Sequence, residues 1–159
     1  MMELNAPMHF DAMGYEAYLR LFVGTIAGMV LGVEREIKGH DAGLRTHGFV
    51  ALSASVMTVT ALTLFYQLGG PDSRLDPLRV IEGMAAAIGI IAAGLIIVRG
   101  DNVKNLTSAA HIWLTATLGI ASGAGYYPIV AVGTGLALIL LIVVGVAEKW
   151  LPGRTDVGE

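Results

Sequence analysis

Eight ionisable residues, Glu34, Arg35, Glu36, Lys38, His40, Asp41, Arg45 and His47, fall within fourteen positions, directly after a run without charge from Leu21 to Val33. A second polar block, Arg99, Asp101, Asn102, Lys104 and Asn105, leads into Thr107, Ser108 and, one turn on, His111. Two charges where a helix leaves hydrocarbon are by default interfacial anchors that reach for water. Carboxylates, imidazoles and a guanidinium arriving from three separate connections point further, to a cluster that holds an ion or a protein partner. The expected cluster is Glu34, Arg35, Asp41, Arg45, Thr46, His47, Asp101, Asn102, Thr107 and His111.

The elements that must position these residues are membrane helices. Of 159 residues 55% are hydrophobic and 14% charged, with a mean hydropathy of +0.68, whereas soluble domains carry about 25% charged residues. A span needs roughly 20 apolar residues, and five segments approach that length: Tyr15 to Val33, Gly48 to Leu68, Val80 to Val98, Thr107 to Ser122 and Ile129 to Ala147. The fold class is therefore an all-α polytopic bundle of five helices in a lipid bilayer. The fourth is short, and both a re-entrant and a fully spanning form stay open. Residues 1–14 are expected as an external tail, 15–150 as the membrane domain and 151–159 as a polar tail. The N-terminus lacks the basic region and cleavage site of a secretory signal.

Lysines and arginines near segment ends set orientation. Arg35, Lys38, Arg45, Arg99, Lys104, Lys149 and Arg154 lie on one side, against Arg20, Arg74 and Arg79 on the other. That excess puts the N-terminus outside and the C-terminus, with the polar cluster, in the cytoplasm of a bacterial cell.

Gly24, Gly28 and Gly32 recur every four residues, and Arg35 continues their face of the first helix. Small residues at this spacing let two helices approach closely in lipid. Packing within the chain and a homo-oligomer contact, with a dimer the favoured form, both use such a stripe. Glu82 is expected to pair with Arg79 three residues earlier. The hydroxyls of Ser55, Thr58, Thr115 and their neighbours read as glue between helices.

Several classes are set aside. A net charge of −3 with scattered basic residues gives no case for nucleic acid. With no cysteine there is no thiolate chemistry. No Walker loop, HExxH, nucleophile elbow or kinase signature occurs, so no enzymatic chemistry is expected.

Three blocks carry a family resemblance: Gly32-Val33-Glu34-Arg35-Glu36, Ala42-Gly43-Leu44-Arg45-Thr46-His47, and Asp101 to Ala110 followed by Trp113. In these the chain resembles the MgtC/SapB family of small bacterial inner-membrane proteins, from about Leu19 to Lys149. The resemblance implies a five-helix membrane domain with its N-terminus outside, tied to adaptation to low magnesium and, in pathogens, to virulence. Mg²⁺ favours one or two carboxylates with retained waters, which makes Glu34 and Asp101 its candidate ligands. The third helix, Glu82 to Gly94, departs from the family's Ser-Gly-rich run. Because the sequence continues only briefly past the fifth segment, a short member without the soluble C-terminal domain of longer ones is expected. The expected function is non-enzymatic, through an ion or another membrane protein bound at the cytoplasmic cluster; a cation transporter or channel and a helix-packing assembly protein are the alternatives.

Overall fold

The computed structural model describes residues 14–40, 42–69, 75–99 and 102–150, without the side chains of 99, 102 and 146–150. Five helices follow one another: α1 (Gly14–Ile37), α2 (Leu44–Leu68), α3 (Leu78–Leu95), α4 (Leu106–Gly123) and α5 (Tyr127–Trp150). Between α3 and α4 a short antiparallel hairpin pairs β1 (Ile97–Arg99) with β2 (Asn102–Lys104), Val98 facing Val103. The third segment thus stops short of Val98: its β-branched end, Ile97-Val98, pairs as a strand instead of extending the helix. Of the expected tails, 1–14 and 151–159, only Gly14 is described, as the first residue of α1; the rest, with Asp41 and Asp101, lie outside the described residues.

Packing inverts the pattern of a soluble core. Buried positions are largely small, among them Ala27, Ala51, Ala54, Ala109 and Ala116, while Phe22, Phe49, Ile90, Val132 and Leu140 are exposed. In lipid the large side chains gain nothing by leaving an apolar solvent, so association rests on close backbone approach. The glycine stripe of α1 supplies it against α2. A Cβ on Gly28 would stand 2.6 Å from both Ala51 Cβ and the His47 carbonyl oxygen, and one on Gly32 would stand 2.7 Å from Leu44 Cα. Gly24 meets Ser55 and Ser122 in the same way, so all three glycines face the chain's own helices.

Four helices, α1, α2, α3 and α5, are long and apolar enough to cross a membrane. The fourth segment is one unbroken helix of 18 residues, about 27 Å at 1.5 Å per residue. It is the least lipid-like and the most enclosed, with Ser108, Ala109, Ile112, Thr115, Ala116, Leu118, Gly119, Ser122 and Gly123 buried. Gly119 and Gly123 rest on the backbone of α2 at Ala51 and Ser55, and Ser55 Oγ donates to the Gly119 carbonyl at 2.9 Å. The helix enters from Asn105, whose left-handed φ of +64° turns the chain from hairpin to helix, a conformation asparagine tolerates better than most residues.

These contacts order the ends of the bundle. The end of α1, the starts of α2 and α4 and the region of Gly145 in α5 lie together, since Arg35 meets Ser108, Gly32 meets Leu44, and Gly145 approaches Lys38. The start of α1 lies with the end of α4, where Arg20 meets Gly123.

Candidate functional site

Because Arg35 continues the glycine face of α1, it points inward. It is 6% exposed and its Nη2 donates to Ser108 Oγ on the first turn of α4. A buried cation is costly unless hydrogen-bonded, and the serine hydroxyl is one of the groups that meets it. Glu34, one position round the helix, pairs through Oε1 with Lys38 Nζ at 2.5 Å. Its Oε2 is buried without a hydrogen-bond partner among the described residues. Glu36 reaches across the α1–α2 connection, where its Oε2 accepts the Leu44 backbone N–H at 2.9 Å. It thereby satisfies one of the free donors at the start of α2. The glycine at 43 leaves room for that carboxylate, which a Cβ would strike.

Deeper in the bundle, His47 is fully buried, and its Nδ1 lies 2.9 Å from the Gly43 carbonyl oxygen. A carbonyl only accepts, so Nδ1 carries the proton and the neutral ring turns the Nε2 lone pair inward. Across from it stands His111 of α4, with ring centroids 6.2 Å apart and planes at 84°. His111 lies within electrostatic range of Glu34, Arg35, His40 and His47. One turn along α4, the hydroxyl of Thr115 is also fully buried. His47 Nε2, His111 Nδ1 and Thr115 Oγ1 have no hydrogen-bond partner among the described residues.

Of the expected cluster, Glu34, Arg35, His47 and His111 meet at this end of the bundle. Arg45 and Thr107 are exposed and Thr46 is half-buried, so none of the three enters the interior. Asp41, Asp101 and the side chain of Asn102 lie outside the described residues. Among the described residues Glu82 and Arg79 do not pair; both side chains are exposed near the start of α3. Among the described residues no three histidine or acidic side chains come together. Of the two candidate Mg²⁺ ligands, Glu34 pairs with Lys38 and Asp101 lies outside the described residues. Three residues of the site, Ser108, Glu36 and Thr115, stand outside the cluster expected from the sequence. Ser108 had a signal, being the hydroxyl on the α4 face that buries Ala109 and Ile112. Glu36 and Thr115 had none, because a cap across a connection and a hydroxyl left without a partner depend on three-dimensional placement.

The opposite end has its own polar lock. Arg20 Nη1 donates to the Gly123 carbonyl at 3.1 Å, Ser122 Oγ donates to the Arg20 carbonyl at 2.6 Å, and Tyr127 Oη donates to Glu16 Oε1 at 2.7 Å. These bonds tie the α4–α5 link to the first turns of α1. The first of them satisfies the Gly123 carbonyl, which the end of α4 leaves open.

Close packing on small residues, with a buried arginine, a buried histidine and a half-buried one at one end, defines a polytopic membrane helix-bundle protein. The chain belongs to the MgtC family, whose model matches residues 21–150. It is similar to YhiD of Escherichia coli K12, at 35% identity over 127 residues, covering 79% of this chain and 59% of that protein. SapB of Bacillus subtilis 168 is 37% identical over 111 residues, 69% of this chain and 48% of SapB. MgtC of Salmonella typhimurium LT2 is 34% identical over 109 residues, 69% of this chain and 44% of MgtC. The chain thus spans between 44% and 59% of the length of these relatives. No solved structure matches it.

Proposed function

We propose that this protein serves magnesium homeostasis in the bacterial inner membrane without catalysing a reaction, and that its buried polar cluster, on the cytoplasmic side, engages an ion or a membrane-protein partner. The observation that carries this reading is Arg35, a charge enclosed by α1, α2 and α4 and hydrogen-bonded across the bundle to Ser108. A cation at this depth is expensive and in membrane proteins marks function by default. Packing alone would be served by an apolar side chain of the same size. The family and the provisional magnesium-transporter name carried by YhiD supply the link to Mg²⁺.

The test is complementation of growth at low magnesium, with membrane levels of each variant held equal. Arg35→Gln and Glu34→Gln are expected to abolish it. Growth unaffected by both would sink the reading and leave helix packing as the role. Transport is the second reading, favoured by the YhiD name. Reproducible Mg²⁺ flux into liposomes, lost in Glu34→Gln, would establish it in place of the first.

A further inference from the structure

We propose that His47 and His111 bind a divalent transition-metal ion of the zinc and cobalt class in the core of the bundle. This deepens the reading above, since it gives the buried cluster a ligand class, and it differs from Mg²⁺ in the donors it requires.

The argument starts from an unsatisfied lone pair. With Nδ1–H committed to the Gly43 carbonyl, fully buried His47 presents Nε2 as an acceptor that no described residue meets. Metal-bound histidines characteristically donate their other ring N–H to a backbone carbonyl or carboxylate, which fixes tautomer and ring orientation. His47 already has that arrangement. His111 brings a second buried ring nitrogen without a partner among the described residues, from a different helix.

The spacing decides whether one ion can reach both. Zinc–nitrogen bonds are about 2.0–2.1 Å. With each ring nitrogen about 1.1 Å from its centroid, two imidazoles on one ion have centroids from about 5.2 Å apart at a tetrahedral angle to about 6.4 Å when opposed. The observed 6.2 Å corresponds to an angle of about 150° at such an ion, so the rings must close by about 1 Å to reach the tetrahedral spacing.

Donor chemistry and charge then select the ion. Imidazole nitrogen suits zinc, cobalt and nickel, while Mg²⁺ takes oxygen and keeps its water. Arg35 works against any cation here, but its guanidinium is turned onto Ser108. The buried Oε2 of Glu34, in electrostatic range of His111, places negative charge beside the site and offsets part of the larger opposing effect of Arg35. No third histidine or acidic residue joins the pair among the described residues. The remaining positions fall to water and to a hydroxyl such as Thr115. Structural zinc sites are closed by four protein ligands; two leave this one open and exchangeable, as a sensing or transit site would be.

The full chain in detergent micelles should be titrated with Co²⁺, whose visible absorption reports its ligands, and then challenged with Zn²⁺ and Mg²⁺. One Co²⁺ per chain is expected, displaced by Zn²⁺ and not by millimolar Mg²⁺. His47→Gln and His111→Gln should each weaken binding at least tenfold, with exposed Glu82→Gln unchanged. Because His47→Gln could unfold the bundle, imidazole ¹⁵N resonances of the unmodified protein give a second reading: Zn²⁺ should move His47 Nε2 and His111 Nδ1 together. Absent Co²⁺ binding, binding indifferent to both substitutions, or unmoved resonances with a water alone between the rings would each overturn the proposal. If Co²⁺ binding fails while Arg35→Gln still abolishes low-magnesium growth, the metal site falls and the function proposed above stands.

Discussion

Arg35 and Ser108 stand 73 residues apart in the chain and meet in the bundle interior, guanidinium against hydroxyl. The contact joins the end of α1 to the first turn of α4, the most enclosed helix. A hydrogen bond to a buried charge contributes about 1.5–3 kcal/mol, and leaving that charge short of an acceptor costs at least as much. Ser108→Ala should therefore destabilise the bundle by about 2 kcal/mol, read as earlier unfolding in mixed detergent–SDS micelles. Ser108→Thr, which keeps the hydroxyl, should lose much less. Equal stability of the Ser108→Ala variant and the wild-type chain would mean that Arg35 does not depend on this acceptor.

Gly28 tests the packing of α1 on α2. A methyl there would stand 2.6 Å from Ala51 Cβ and from the His47 backbone oxygen. Neither can swing aside as the tip of a long side chain could. Overpacking of this kind costs about 1–3 kcal/mol, so Gly28→Ala should lower stability by that amount in the same unfolding assay and Gly28→Leu should prevent folding. Gly83 in α3 has nothing within 4 Å of such a methyl. Gly83→Ala should cost nothing, and a loss there equal to that at Gly28 would contradict this account.

The helices and the closeness of α1 were legible because each rests on local pattern: apolar runs of spanning length, and glycines repeating every four residues. Which partner the glycine stripe faces was not, since Gly28 fits another helix of the same chain and a second copy by one rule of small-residue contact. The structure sets it on Ala51 and His47. Arg35 was legible as the inward-facing charge because it extends that stripe. Its acceptor was not, because Ser108 and Thr107 are adjacent hydroxyls and the rotation of α4 alone decides that Ser108 is buried and Thr107 exposed. The end of α3 was misjudged for a related reason. Ile97 and Val98 suit either an apolar helix or a strand, and the pairing of Val98 with Val103 settles the choice only once the chain has turned back.

Orientation can be measured directly, because the chain has no native cysteine. Single cysteines at Gly39 and Val103 report the end that holds the polar cluster, and cysteines at Tyr66 and Leu75 report the other. Both lysine- and arginine-rich connections adjoin the first end, so it should lie in the cytoplasm. A membrane-impermeant maleimide added to whole cells should label positions 66 and 75 and should reach 39 and 103 only after lysis. The reverse pattern would place the cluster outside and remove the cytoplasmic element of the proposed function.

Glu36 and Gly43 make a coupled pair. The carboxylate caps α2 by accepting the Leu44 N–H, and it occupies the space that any side chain at 43 would need. Replacing a helix-capping acceptor with alanine typically costs about 1 kcal/mol, so Glu36→Ala should destabilise by that amount. Gly43→Ala should cost a similar amount by a different route, since its methyl displaces the carboxylate and breaks the same bond. In the double variant there is no carboxylate left to displace. Independent sites would add, whereas residues sharing one interaction do not. The double variant should therefore be destabilised by about 1 kcal/mol, not about 2. Full additivity in this cycle would show that Gly43 is required for a reason other than the Glu36 cap.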